Sequence, residues 1–123
     1  MTNIKEKLLL ERHDDLVNML IRCRINIEDR EDPTVLDIMT DMRALPGIVT
    51  VRQTRPISDI VSSYGHRIIE MNVSYIEKFV NSKNKFMTVL KSLKTIDGVS
   101  MIKVLEHDND VINKKIERSP III

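Results

Sequence analysis

A chain of 123 residues with 42% hydrophobic and 30% charged side chains has the composition of one ordinary globular domain, far from that of disordered chains. Its 19 basic and 18 acidic residues leave a net charge of +1, which excludes a global basic field for non-specific attraction to nucleic acid or anionic membrane. The single Cys23 excludes an internal disulfide and a cysteine-built metal cage, and no apolar stretch approaches the roughly 18 residues that span a bilayer.

Residues 4–14 place Ile4, Leu8 and Leu9 at helical spacing behind Thr2 or Asn3 as cap, predicting an N-terminal helix that ends within 14–19. From residue 20 the period becomes two. Ile21, Cys23, Ile25 and Ile27 alternate with Arg22, Arg24, Asn26 and Glu28, the pattern of a half-buried strand. Asp32-Pro33 supplies a cap followed by proline in a first helical turn, and Val35, Leu36, Ile38, Met39 and Met42 continue as an apolar stripe, so a helix is expected over 33–44. Beyond Leu45-Pro46-Gly47, Val49 and Val51 alternate with Thr50 and Arg52 in a second strand. Ile69, Met71, Val73 and Tyr75 mark a third over 67–76. Ser82 or Asn84 then caps a helix with the stripe Phe86, Val89, Leu90, Leu93 and Ile96, which ends at Asp97-Gly98. A strand follows over 99–106, and Asn109 or Asp110 caps a last helix at 111–118.

The two halves repeat. A shift of 51 residues lays Val35, Ile38, Met39, Met42, Leu45 and Gly47 on Phe86, Val89, Leu90, Leu93, Ile96 and Gly98. The expected fold is α+β, a ferredoxin-like βαββαβ core over 20–106 with a four-stranded antiparallel sheet and both helices on one face. A helical extension over 1–19 precedes it, and a helix plus apolar arm over 107–123 follows. The expected sheet core is Ile21, Cys23, Ile25, Ile27, Val49, Val51, Ile69, Met71, Val73, Ile102 and Val104.

The segment DPTVLDIMTDMRALPGIVTV resembles the first αβ unit of ACT-like regulatory domains, in which an Asp-x-Pro-Gly-hydrophobic start leads into a helix and then a Gly-hydrophobic strand. At the level of fold the resemblance covers about residues 20–106. It implies the βαββαβ topology and an amino-acid site at the turn before the helix, where family members use a glycine; Thr34 follows Pro33 here.

Chemistry is sparse. His13, His66 and His107 sit in different elements and form no ligand cluster, and the acidic residues Glu28, Asp29, Glu31 and Asp32 are interrupted by Arg30. Cys23 falls on the apolar side of its strand, where burial disfavours the thiolate. No nucleophile elbow, phosphate-cradling glycine loop or zinc-protease motif occurs, so neither an enzyme nor a cofactor or metal is expected. Interaction surfaces are better represented. Arg22, Arg24, Arg52 and Lys103 fall on the solvent side of the expected sheet, joined by Met101 and Leu105. Ile57, Ile60 and Val61 lie in the loop over 55–65, and Pro120 precedes Ile121, Ile122 and Ile123. These features point to a non-enzymatic structural or adaptor subunit with protein partners, a homo-oligomer or part of a larger assembly. It is expected in the cytoplasm, without membrane contact, or in a virion if the single alanine and the abundance of isoleucine, lysine and asparagine reflect phage coding. An ACT-like small-molecule regulator is one alternative; a nucleic-acid binder is the other, although the positions where such sheets stack bases hold Arg22, Arg24, Glu70 and Asn72.

Overall fold

A computed structural model describes residues 16–26, 34–54 and 66–123. Strand β1 (Leu16–Asn26) is followed by α1 (Val35–Arg43), β2 (Ile48–Gln53) and β3 (His66–Ile76). A single 3-10 turn (Glu77–Phe79) leads to α2 (Lys85–Lys94), β4 (Val99–His107), α3 (Asp110–Arg118) and β5 (Ile121–Ile122). The fold is α+β, with one five-stranded sheet in the order β2-β3-β1-β4-β5, every neighbouring pair antiparallel, and three α-helices among the described residues. The expected count of four strands is corrected, because the C-terminal arm pairs with the edge of β4. The expected N-terminal helix, Ile27, the acidic run and the loop over 55–65 lie outside the described residues.

β1 begins four residues earlier than the alternation from residue 20 implied, at Leu16. Val17 and Met19 continue the buried phase of Ile21, Cys23 and Ile25, so the longer strand keeps the same face inward. In the register Cys23 lies across from Ile69 on β3 and Ile102 on β4, and Ile21 lies across from Met71 and Val104. This face joins Ile38, Met39 and Met42 of α1 and Phe86, Val89, Leu90 and Leu93 of α2 in one cluster, with Ile112 and Ile116 of α3 packed at its margin. Burying fully apolar side chains at about 1.5–3 kcal/mol each makes this cluster the dominant stabilising element.

Local chemistry sets the boundaries. Thr34, rather than Asp32, caps α1: its hydroxyl accepts the Asp37 N–H at 3.2 Å while the Asp37 carboxylate accepts the Thr34 N–H at 3.0 Å, a reciprocal capping box. The Thr34 N–H, and the Thr34 hydroxyl donating to the same carboxylate at 2.9 Å, hold the Asp37 carboxyl below its ordinary 3.8. Leu36, expected in the apolar stripe, points outward and is 72% exposed, since its position lies a quarter turn from the buried side of α1. Asn84 caps α2 by accepting the Met87 N–H at 3.1 Å.

Two bulges change the phase of their strands. In β2 a register shift between Ile48 and Thr50 turns Ile48 into the core and leaves Val49, expected in the core, only half-buried. In β4 a shift sets Val104 opposite Ile21 but Glu106 opposite Leu20, so that Glu106 is exposed and His107, opposite Met19, is buried.

Candidate functional site

The side chains that alternate with the core occupy the opposite face of the sheet, against which no described helix packs. Arg22, Arg24 and Lys103 come together there: Lys103 is the register partner of Arg22, and Met101 is the partner of Arg24. Arg22 Nε lies 3.4 Å from Glu70 Oε1 across β1 and β3, and Arg24 Nε donates to Ser100 Oγ at 3.0 Å. Glu70 also accepts the Thr54 hydroxyl at 2.7 Å. Arg22 remains 39% exposed in its side chain, so this ion pair works in a partly aqueous environment and contributes little net stability. Arg52 stands apart, on edge strand β2 opposite Asn72, beside a cleft of ≈ 500 Å³ lined by Asn18, Thr50, Thr54 and Ser74. Thr50 and Ser74 are hydrogen-bonded to each other within it. The four basic residues therefore form a cluster of three and an outlier.

Leu105 sits in the β4 bulge and borders a groove of ≈ 490 Å³ with Asn113, Lys114 and Glu117 of α3. The apolar arm docks in its own chain. Ile123 N–H donates to the Ile102 carbonyl at 2.9 Å, the Ile123 carbonyl accepts the Ile102 N–H at 3.0 Å, and Lys103 and Val104 pair with Ile122 and Ile121. Ile121 and Ile123 pack against the core, whereas Ile122 is on the side of Lys103 and is 51% exposed. Ile57, Ile60 and Val61 lie outside the described residues.

A second constellation is not evident from sequence. Tyr75 on β3 and His107 on β4 flank β1 on its core side, with Tyr75 Oη 2.8 Å from His107 Nε2. They floor a cleft of ≈ 380 Å³ at the start of α2, where Glu77, Lys83 and Lys85 form the walls. Lys85 Nζ donates to the Glu77 carbonyl at 2.8 Å. Burial holds the Tyr75 phenol protonated and pushes the His107 imidazole below its ordinary 6.5, so both are neutral at pH 7. The alternation Ile69, Met71, Val73 places Tyr75 inside, but simple alternation from Ile102 and Val104 puts Glu106 inside and His107 out. Only the bulge reverses that assignment.

Cys23, fully buried in the middle of the sheet, has its thiol pushed up to about 12 by desolvation, which leaves no thiolate for nucleophilic chemistry. Among the described residues no group of three or more His, Cys, Asp or Glu side chains converges as a metal site, and no helix is long and apolar enough to cross a membrane.

No protein-family model matches this chain, and no curated protein or solved structure matches it significantly.

Proposed function

We propose that this chain is a non-enzymatic structural or adaptor subunit that assembles with protein partners, including further copies of itself, through the helix-free face of its sheet. The observation that carries this reading is the grouping of Arg22, Arg24 and Lys103 with Met101 and the exposed Ile122 on one surface. Mixed apolar and cationic side chains, presented on a rigid sheet, suit protein association. A nucleic-acid role is less well supported: among the described residues of this face no aromatic ring is available for a base to stack on, and Arg22 is engaged by Glu70. The core is read as a ferredoxin-like βαββαβ unit extended by one strand. Support for this comes from the order β2-β3-β1-β4 of its first four strands and from the helices that follow β1 and β3. A phage particle is the setting favoured by the composition.

Sedimentation of the wild-type chain and of the Arg22→Glu/Arg24→Glu variant tests the assembly reading. The wild type is expected as an oligomer and the variant as a smaller species that still melts cooperatively. A wild-type chain that stays monomeric at high concentration, or a variant that assembles normally but loses retention of DNA or RNA, overturns it.

A further inference from the structure

The C-terminal helix and arm are fastened to the sheet at the end of β4, where Asp108 accepts the Asn18 N–H at 2.8 Å and donates its own N–H to the Asn18 carbonyl at 3.0 Å, and where the His107 side chain adds a further hold on the start of the helix. His107, the last residue of β4, is 5% exposed and uses both ring nitrogens. Nδ1 accepts the Asn109 N–H at 2.9 Å, Nε2 lies 2.8 Å from Tyr75 Oη, and Phe86 meets the ring edge-on with centroids 4.9 Å apart. Because Nδ1 accepts, the proton of the neutral ring is assigned to Nε2 and is donated to Tyr75. Asn109 in turn caps α3, its side-chain oxygen accepting the Val111 and Ile112 N–H groups at 2.9 and 3.3 Å. The imidazole thus holds the residue that starts the helix. Asn113 also ties α3 to the His107 main chain, accepting its N–H at 2.8 Å and donating to its carbonyl, but no residue of α3 is fully buried and β5 is two residues long.

We infer that His107 is a pH-sensitive pin, whose protonation at Nδ1 turns the acceptor of the Asn109 N–H into a second donor and loosens residues 109–123 while β1 and β3 stay paired. The loosened arm uncovers the backbone of Ile102, which otherwise pairs with Ile123. The groups around the ring set the direction of the response. Tyr75 faces it from β3 and Phe86 from α2, and Lys83, Lys85 and Glu77 line the same cleft; Asp108 follows it in the chain, and Met19 lies opposite on β1. Asp108 and Glu77 favour the imidazolium, but desolvation outweighs them and the folded-state pKa lies below the ordinary 6.5. The unfolded or loosened chain therefore binds the proton more readily. The pin is fully effective above 6.5 and is lost as pH falls through the lower folded-state value.

Amide hydrogen exchange on the full chain, corrected for intrinsic pH dependence and taken from about pH 7.5 to about pH 4.5, reads this directly. The expected result is that exchange over α3 and at Ile123 rises several-fold as pH falls, with a midpoint matching the NMR titration of the His107 ring while β1 and β3 remain protected. His107→Asn retains an acceptor near the Nδ1 position but cannot titrate, so its arm should remain protected across the range. Should that variant fail to fold, coincidence of the two wild-type midpoints decides. Ring titration without loosening, loosening of the arm in step with β1 and β3, or an unchanged pH response in a folded His107→Asn variant overturns the inference.

Discussion

Gly47 and Gly98 occupy equivalent places in the two halves of the chain, each between the end of a helix and the start of a strand, with φ of +83° and +92°. Both lead into strands of one sheet, β2 and β4. A left-handed backbone costs a residue with a side chain about 1–2 kcal/mol, which is why glycine occupies both turns between helix and strand, closed by Ile48 N–H to the Leu45 carbonyl and by Val99 N–H to the Ile96 carbonyl. At Gly47 an added Cβ would also lie 3.1 Å from Val80 Cγ2.

Gly98→Ala is accordingly expected to lower stability by about 1–2 kcal/mol and Gly47→Ala by somewhat more. Urea titrations that show shifted midpoints at constant slope would verify both values, and a neutral Gly47→Ala would refute the strain argument.

Removal of residues 119–123 should destabilise the monomer itself. Ile121 and Ile123 are half-buried against the core, so about half of the ~1.5–3 kcal/mol for each full burial is lost, lowering the melting temperature by roughly 5–10 °C. Calorimetry combined with native mass determination measures this; an unchanged melting temperature with altered oligomeric mass would place the arm's energetic role between chains instead.

Cys23 should resist alkylation at neutral pH for as long as the sheet is intact, because its thiol is pushed up to about 12 and sealed between Ile69 and Ile102. Its labelling rate with iodoacetamide is expected to follow global unfolding in urea. Rapid labelling under native conditions would show that the middle of the sheet opens locally. Cys23→Ser should cost about 1–3 kcal/mol by burying a hydroxyl among apolar neighbours.

The Arg22–Glu70 ion pair should contribute less than about 1 kcal/mol in a double-mutant cycle, given its 3.4 Å separation and the exposure of Arg22. The coupling should shrink further at high salt. A coupling of several kcal/mol would mean that the pair is desolvated by an assembled partner.

Sequence alone determined the elements whose burial follows an unbroken period. Alternation at Ile21, Cys23 and Ile25 and at Ile69, Met71 and Val73 marks two of the three inner strands, and the stripes Ile38-Met39-Met42 and Val89-Leu90-Leu93 mark the helices above them. Such patterns are legible because a face that must leave water repeats every second residue in a strand and about every 3.6 residues in a helix. Tertiary structure alone decided where those periods slip and where distant residues meet. The β2 bulge exchanged Val49 for Ile48, the β4 bulge exchanged Glu106 for His107, and the arm found the edge of β4 rather than another chain. A bulge is set by how neighbouring strands pair and twist, and an edge exists only once a sheet has formed, so neither is written in local periodicity. The contact between Tyr75 and His107 spans 32 positions and depends on that slip, which is why a chain with little visible chemistry still holds a buried, titratable pair.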